Sequence, residues 1–263
     1  MIHDRIDRSG DLVRIEAALV AARKLLKGFA AGAIASTRKD NLDPVTEADV
    51  ALDRLLRELL VDVGEGWLSE ETRDDRSRLH LNRVWVVDPV DGTKEFVAGI
   101  PEWCVSVGLV ENGIAVAGGV LNPAAGFLAL GALGAGCRLN GIGVATSNTG
   151  SLERATILAS RSEVDRGEWE QWINSGFRVR PMGSVAYKLA RVACGLADAT
   201  WTLVPKNEWD VAAGVALVNA SGGRVVSIDG SEPRFNQKSS LLPGLIASGP
   251  KLFATLTRTL LAA

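Results

Sequence analysis

Two carboxylates, Asp88 and Asp91, stand three residues apart in Trp85-Val86-Val87-Asp88-Pro89-Val90-Asp91-Gly92-Thr93-Lys94-Glu95-Phe96. Val84 to Val87 is an apolar run that reads as a short buried strand. Asp-Pro is expected to end it in a turn, because proline gives no ladder donor. Gly92 lets the chain bend tightly, and backbone N–H groups at such a bend can face an anion. Close carboxylates repel unless a cation lies between them, and a hard divalent ion such as Mg²⁺ suits oxygen ligands. A metal site beside an anion cradle is the chemistry of phosphate.

Three further acids fall at element ends: Asp49, Glu70 and Asp210. Each has a plainer reading. Asp49 follows Thr46 in capping-box position. Glu70 closes Gly66-Trp67-Leu68-Ser69-Glu70-Glu71, which could be a solvated loop tip. Asp210 could cap the helix it opens. Together the five carboxylates can hold two or three Mg²⁺ ions, and a metal pair about 3.5–4 Å apart suits in-line phosphoryl transfer. No phosphate-binding Gly-rich loop and no G-x-S-x-G elbow is present. His3 and His80 lie in a tail and a charged loop, which argues against histidine catalysis.

These acids need a scaffold. Asp11 to Phe29 carries Leu12, Ile15, Leu19, Ala22 and Leu25 at helical spacing. Gly32 to Asn41 reads as a loop with a positive tip at Arg38-Lys39. Asp43-Pro44-Val45-Thr46 leads into a second helix through Leu59. Trp103–Val110, Ile114–Leu121 and Phe127–Gly131 read as strands, with turn signals at Asn112-Gly113 and Asn140-Gly141. Beyond residue 150 the pattern alternates. Strands are expected at Ala155–Ala159, Ala197–Leu203, Arg224–Ile228 and Leu245–Ser248. Helices are expected at Val164–Ile173, from Gly183-Ser184 to Gly195, from Asn207 to Ala220, and at Pro250–Leu261. The small residues Ala212 and Ala213 after Asp210 would let that helix approach another element closely. An α/β chain results, with an N-terminal α+β half (1–150) bearing most candidate ligands. A C-terminal half (151–263) bears Asp210, and the two pack as one unit.

The 263 residues are 47% hydrophobic and 23% charged, an ordinary globular balance. A net charge of −2 and a pI of about 5.8 argue against nucleic acid as a partner. Cys104, Cys137 and Cys194 are odd in number and widely spaced, which fits reduced, buried thiols in a cytoplasmic protein. The charged N-terminus has no secretory h-region. Gly113 to Cys137 holds no charge and is long enough to span a bilayer, but its Asn122-Pro123-Ala124-Ala125-Gly126 centre favours strand-turn-strand.

Asp88-Pro89-Val90-Asp91-Gly92-Thr93, Trp209-Asp210-Val211-Ala212-Ala213-Gly214, Ser69-Glu70-Glu71 and Asp43-Pro44-Val45-Thr46-Glu47-Ala48-Asp49 resemble the four signature motifs of the inositol monophosphatase family. The resemblance covers nearly the whole chain. It implies a layered α-β-α-β-α sandwich, commonly dimeric, and a Mg²⁺-dependent, Li⁺-inhibited phosphomonoesterase. Mn²⁺ would be an alternative ion and Ca²⁺ an inhibitor. Carried over by position, Glu70, Asp88 and the Val90 carbonyl would hold the ion that activates water. Asp88, Asp91 and Asp210 would hold the ion at the leaving oxygen, and Glu70 would help a looser third. Thr93, paired with Asp49, would orient the water. Gly92 and Thr93 amides would receive phosphate, alongside Asp91 and Asp210.

Lys94-Glu95-Phe96, Ser160-Arg161-Ser162 and Leu242-Pro243-Gly244 are similar to the 3′(2′),5′-bisphosphate nucleotidase branch. Leu203 stands where the inositol branch has a hydroxyl-binding Glu. The resemblance thus points first to 3′-phosphoadenosine 5′-phosphate (PAP), with inositol, sugar or fructose 1,6-bisphosphate esters as the alternative. A catalytically silent or RNA-binding relative is a third reading. Ser184, Lys188 and Lys206 are candidate specificity residues. The lysine of the nucleotidase pattern is displaced by one at Lys188, where it could equally be a solvated helix residue.

Overall fold

In the computed structural model, which describes residues 7–29, 31–32, 36–38, 44–173 and 175–261, the Leu12, Ile15, Leu19, Ala22 repeat forms α1 (Ser9–Leu26) and buries that stripe. β1 (Ser36–Arg38) pairs with β2 (Pro44–Thr46), so part of the expected polar loop is a strand. Lys39, Asp43 and His3 lie outside the described residues. α2 (Glu47–Leu60) starts on the capping box that Thr46 and Asp49 predict. The Gly66–Glu71 segment is no loop tip. Its first part is β3 (Gly66–Ser69), buried and parallel to β4 (Arg83–Asp91). β4 does not end at Asp88-Pro89. It continues through a register shift between Asp88 and Asp91, a bulge that absorbs the proline.

α3 (Thr93–Ala98) follows. β5 (Cys104–Glu111), β6 (Ile114–Asn122), β7 (Phe127–Ala132), β8 (Gly136–Leu139) and β9 (Ile142–Val144) then run as an antiparallel meander. Both Asn-Gly turns take the left-handed conformation that the dipeptide favours, φ 52° and 78° at Asn112-Gly113, 49° and 84° at Asn140-Gly141. The uncharged stretch from Gly113 is thus strand, and among the described residues no helix is long and apolar enough to cross a membrane.

The second half gives β10 (Thr156–Ser160), α4 (Arg161–Asp165), α5 (Glu170–Ile173), β11 (Arg178–Met182), α6 (Val185–Ala193), β12 (Ala199–Thr202), β13 (Lys206–Asn207), α7 (Glu208–Ala220), β14 (Arg224–Ser227), β15 (Leu241–Leu242), β16 (Leu245–Ser248) and α8 (Pro250–Leu261). The single helix expected at Val164–Ile173 is two short ones, because Gly167 between them sits at φ 80°. β10 to β12, β14 and β16 make a second, five-stranded sheet in the order β11-β10-β12-β16-β14.

Five layers follow from the alternation of buried faces. α1 and α2 cover Trp85, Val87, Val105, Val107 and Leu109 on one face of the seven-stranded sheet. α6 and α7 cover Val84 and Val86 on the other, and also touch the second sheet. α8 seals that sheet from outside with Leu252, Phe253, Leu256 and Leu260. Cys104, Cys137 and Cys194 are buried free thiols.

α7 matters most for the site, because Asp210 rides in its first turn. Its Ala212-Ala213 step lies against Gly108 of β5 and Gly118 of β6 with no side chain between. A Cβ on Gly118 would fall 2.6 Å from the Ala213 carbonyl oxygen, and one on Gly108 2.9 Å from the Ala213 nitrogen. Backbone cannot step aside as a side chain can. Gly118→Ala is therefore expected to destabilise the fold by about 1–3 kcal/mol, read by urea denaturation.

At the opposite end of the sheet Glu65 is a hub. It accepts from Trp85 Nε1 at 2.8 Å, Arg14 Nη2 at 2.7 Å, Arg83 Nε at 3.1 Å and the Asp62 amide at 3.1 Å. Trp85 is fully buried, so its indole N–H needs that partner. Burial pushes Glu65 upward, but the donors from Arg14, Trp85, Asp62 and Arg83 prevail and hold it at about 2, below the ordinary 4.5. A lowered carboxyl stabilises the fold above its unfolded value, and that contribution fades as pH falls from about 4.5 toward about 2. Glu65→Gln should lower stability at neutral pH and flatten the acid limb over that window in denaturation curves.

Candidate active site

The β4 bulge sets out the site. Asp88 and Asp91 both lie near its C-terminal end, 2% and 8% exposed. The Val90 amide donates to Asp88 Oδ1 at 3.0 Å, which fixes the turn between them. Because β3 is parallel to β4, Glu70 emerges at the same end, and its amide donates to the Val87 carbonyl at 3.4 Å. Gly92 then takes φ 96°, a conformation only glycine adopts without strain, and starts α3. A Cβ there would also press on the Glu102 carbonyl at 3.1 Å.

Asp210 arrives from the other half of the chain. Asp88, Asp91 and Asp210 each offer a carboxylate oxygen, and the three oxygens lie within 4.8 Å of one another. They line a cavity of about 170 Å³ with Glu70, Val90, Gly92, Thr93, Lys94 and Glu95. Burial pushes Asp88 well above the usual carboxylate range, and the charges of Glu70, Asp91, Asp210 and Asp49 push the same way. Asp210 is raised by burial, then by Asp91 and Glu70. Asp91 is also raised by burial, although Ser184 and the Ala186 amide oppose this. Three like charges this close, Asp88 and Asp91 buried and Asp210 half-buried, call for a cation, and an all-oxygen donor set suits a hard divalent ion.

Asp49 and Asp210 turn out to do two things at once. Asp49 Oδ2 accepts from the Thr46 amide at 2.8 Å and the Thr46 hydroxyl, closing the α2 capping box. Its Oδ1 faces the Thr93 hydroxyl at 3.4 Å. Thr93 has one proton, and its shorter contact is to the Val90 carbonyl at 2.9 Å. Asp210 Oδ2 accepts from the Asn207 amide at 2.9 Å, closing the α7 capping box, while the residue still lines the cavity. Asp210 thus caps a helix and lines the cavity, whereas Asp49 caps α2 and reaches the cavity only through the Thr93 hydroxyl.

The three candidate specificity residues stand elsewhere, and none lines the cavity. Ser184 sits at φ 59° as the N-cap of α6 and donates to Asp91 Oδ2 at 2.7 Å. The Ala186 amide binds the same oxygen at 2.6 Å. Ser184 thus holds a carboxylate. Lys188 is neither a solvated helix lysine nor a cavity residue. It is 3% exposed, and its Nζ donates to the Ser184 carbonyl at 3.0 Å. Burial lowers it to about 8, against the pull of Asp91. Lys206 lies 3.4 Å from buried Glu163. Glu163 also accepts from Thr202 at 2.6 Å and Trp169 at 3.1 Å, so that pair belongs to the second sheet's packing. Two cavity residues, Lys94 and Glu95, fall outside the site set expected from sequence, although both stand in the first turn of the helix that starts at Thr93, just past Gly92.

The description "Inositol monophosphatase family" matches residues 8–261 of the chain. An inositol-1-monophosphatase of Caulobacter vibrioides is 34% identical over 251 residues, 87% of this chain and 93% of that one. A fructose-1,6-bisphosphatase/inositol-1-monophosphatase of Thermotoga maritima is 33% identical over 213 residues, covering 78% and 79%. The structure of a Thermotoga maritima IMPase superposes with a TM-score of 0.81 at 28% identity, over 97% of both chains. Matched from near its first residue to near its last, this chain belongs to the inositol monophosphatase family.

Proposed function

We propose that the chain is a Mg²⁺-dependent phosphomonoesterase acting on a small ester with a single phosphate on a hydroxyl-rich alcohol. The observation that carries this is the meeting of oxygens from buried Asp88 and Asp91 and half-buried Asp210 within 4.8 Å, lining the cavity. Those three, with Glu70 and the Val90 carbonyl, are the groups that would hold two or three ions. Bound there, divalent ions would polarise the phosphoryl oxygens, ease deprotonation of water and offset charge on the leaving oxygen. The chain's own part is positional. Thr93 and Asp49 would orient the attacking water, the Thr93 oxygen accepting from it while the hydroxyl's own proton is directed to the Val90 carbonyl at 2.9 Å. The Gly92 and Thr93 amides, held by the left-handed turn at Gly92, would face the phosphate.

The PAP reading asks for cations to meet a second phosphate. Lys188 is spent on backbone carbonyls and Lys206 on Glu163. Among the described residues, Lys94 is the one basic residue that lines the cavity. A lining dominated by carboxylates disfavours a second dianion. We therefore place single-phosphate inositol or sugar esters ahead of PAP. The homodimer rests on the resemblance alone.

Two measurements test the reading. In a phosphate-release panel with Mg²⁺, inositol 1-phosphate should exceed both PAP and fructose 1,6-bisphosphate in kcat/KM. PAP in first place would return the chain to the nucleotidase branch. Asp88→Asn should lower kcat by about 10²-fold or more, given that loss of groups merely supporting a metal ligand costs about 10–100-fold. The same variant should melt higher than the unaltered protein in chelator, because one of three repelling charges is gone. Undiminished turnover would overturn the ligand assignment.

A further inference from the structure

One carboxylate in the cavity is used neither by the proposed ion set nor by the water-orienting pair. Glu95 lines the cavity and is 9% exposed. Its side chain lies along the backbone of Gly183, where a Cβ would fall 2.5 Å from Glu95 Cδ. Only glycine at 183 leaves room for the carboxylate there. The cation facing it is Arg161, whose Nε is 3.9 Å from Glu95 Oε1, beyond hydrogen-bonding distance. Arg161 is turned aside by Glu102, which takes its Nη2. Glu102 also accepts the Gly183 amide at 2.9 Å, which locks the two segments together. Arg161 Nε is left buried with no hydrogen-bond partner. Among the described residues, no side-chain donor reaches Glu95 within hydrogen-bonding distance.

A carboxylate only accepts hydrogen bonds, and Glu95, which takes one from its own backbone N–H, keeps lone pairs for donors from the cavity it lines. A phosphate has none to offer at neutral pH and would be repelled, whereas an alcohol hydroxyl fits. We propose that Glu95 is a specificity-determining residue that accepts hydrogen bonds from the hydroxyls of the ester's alcohol part. Arg161, Glu102 and Gly183 hold it in position for this. The inference rests on the phosphomonoesterase reading and narrows it to esters that carry a hydroxyl beside the phosphate.

The test compares inositol 1-phosphate with phenyl phosphate, which has no hydroxyl to read. Glu95→Ala should lower kcat/KM for inositol 1-phosphate about 10–100-fold, mainly through KM, since a hydrogen bond to a charged group is worth that much. Phenyl phosphate should change less than about threefold. Glu95→Gln, which keeps the shape and one acceptor, should fall between and serves if the alanine variant fails to fold. The same discrimination should appear in calorimetric binding of the two esters with Ca²⁺ in place of Mg²⁺. Equal losses on both esters would overturn the inference, because they would mean that Glu95 merely shapes α3. If the unaltered protein releases phosphate from neither ester with Mg²⁺ or Mn²⁺, the reading of the site itself fails, which is a separate outcome.

Discussion

Mutual repulsion among Asp88, Asp91 and Asp210 is the constraint around which the other parts are arranged. No folded chain gathers three carboxylates, two of them buried, within 4.8 Å for stability. Each is therefore held by something other than its neighbours. The Val90 amide holds Asp88, Ser184 and Ala186 hold Asp91, and the Asn207 amide holds Asp210. These donors pin one oxygen of each group and partly offset the field of the rest.

The scaffold answers the same constraint. Asp210 must come deep into the sheet's end, so α7 lies on glycines at 108 and 118 and carries alanines at 212 and 213. Asp88 and Asp91 must face one way despite a spacing of three, so β4 is bulged at Pro89. Glu70 must appear at the same end, so β3 runs parallel to β4. The stabilising charge pairs lie elsewhere, where Glu65 joins Arg14, Arg83 and Trp85 at the start of β4. One strand thus carries stability at its beginning and unfavourable charge at its end.

Much of this was legible in the residues themselves. Acids at element ends, the capping-box spacing at Thr46 and Asp49, and small residues after Asp210 all register as local pattern, and the structure repeats them. What could not be read was burial and direction. Lys188 has the spacing of a helix-surface lysine, yet it is buried with its ammonium on the Ser184 carbonyl. Ser184 reads as a candidate specificity residue, yet its hydroxyl turns back to Asp91. Asp-Pro looks like a strand end because a proline lacks its donor, but a bulge removes the need for that donor. Glu95 looked only like a branch signature, since nothing local says that Gly183 will stand against it from 88 residues away.

The capping boxes at Asp49 and Asp210 tie helix formation to the chemistry of the cleft. A carboxylate supports a helix start only while it can accept from the amides there, and these two groups are the first turns of α2 and α7. Whatever occupied the cleft would meet the start of α7 directly through Asp210, and the start of α2 at one remove through Thr93 and Asp49. An emptied cleft would loosen from its own rim, while the Glu65 end of the sheet stayed shut.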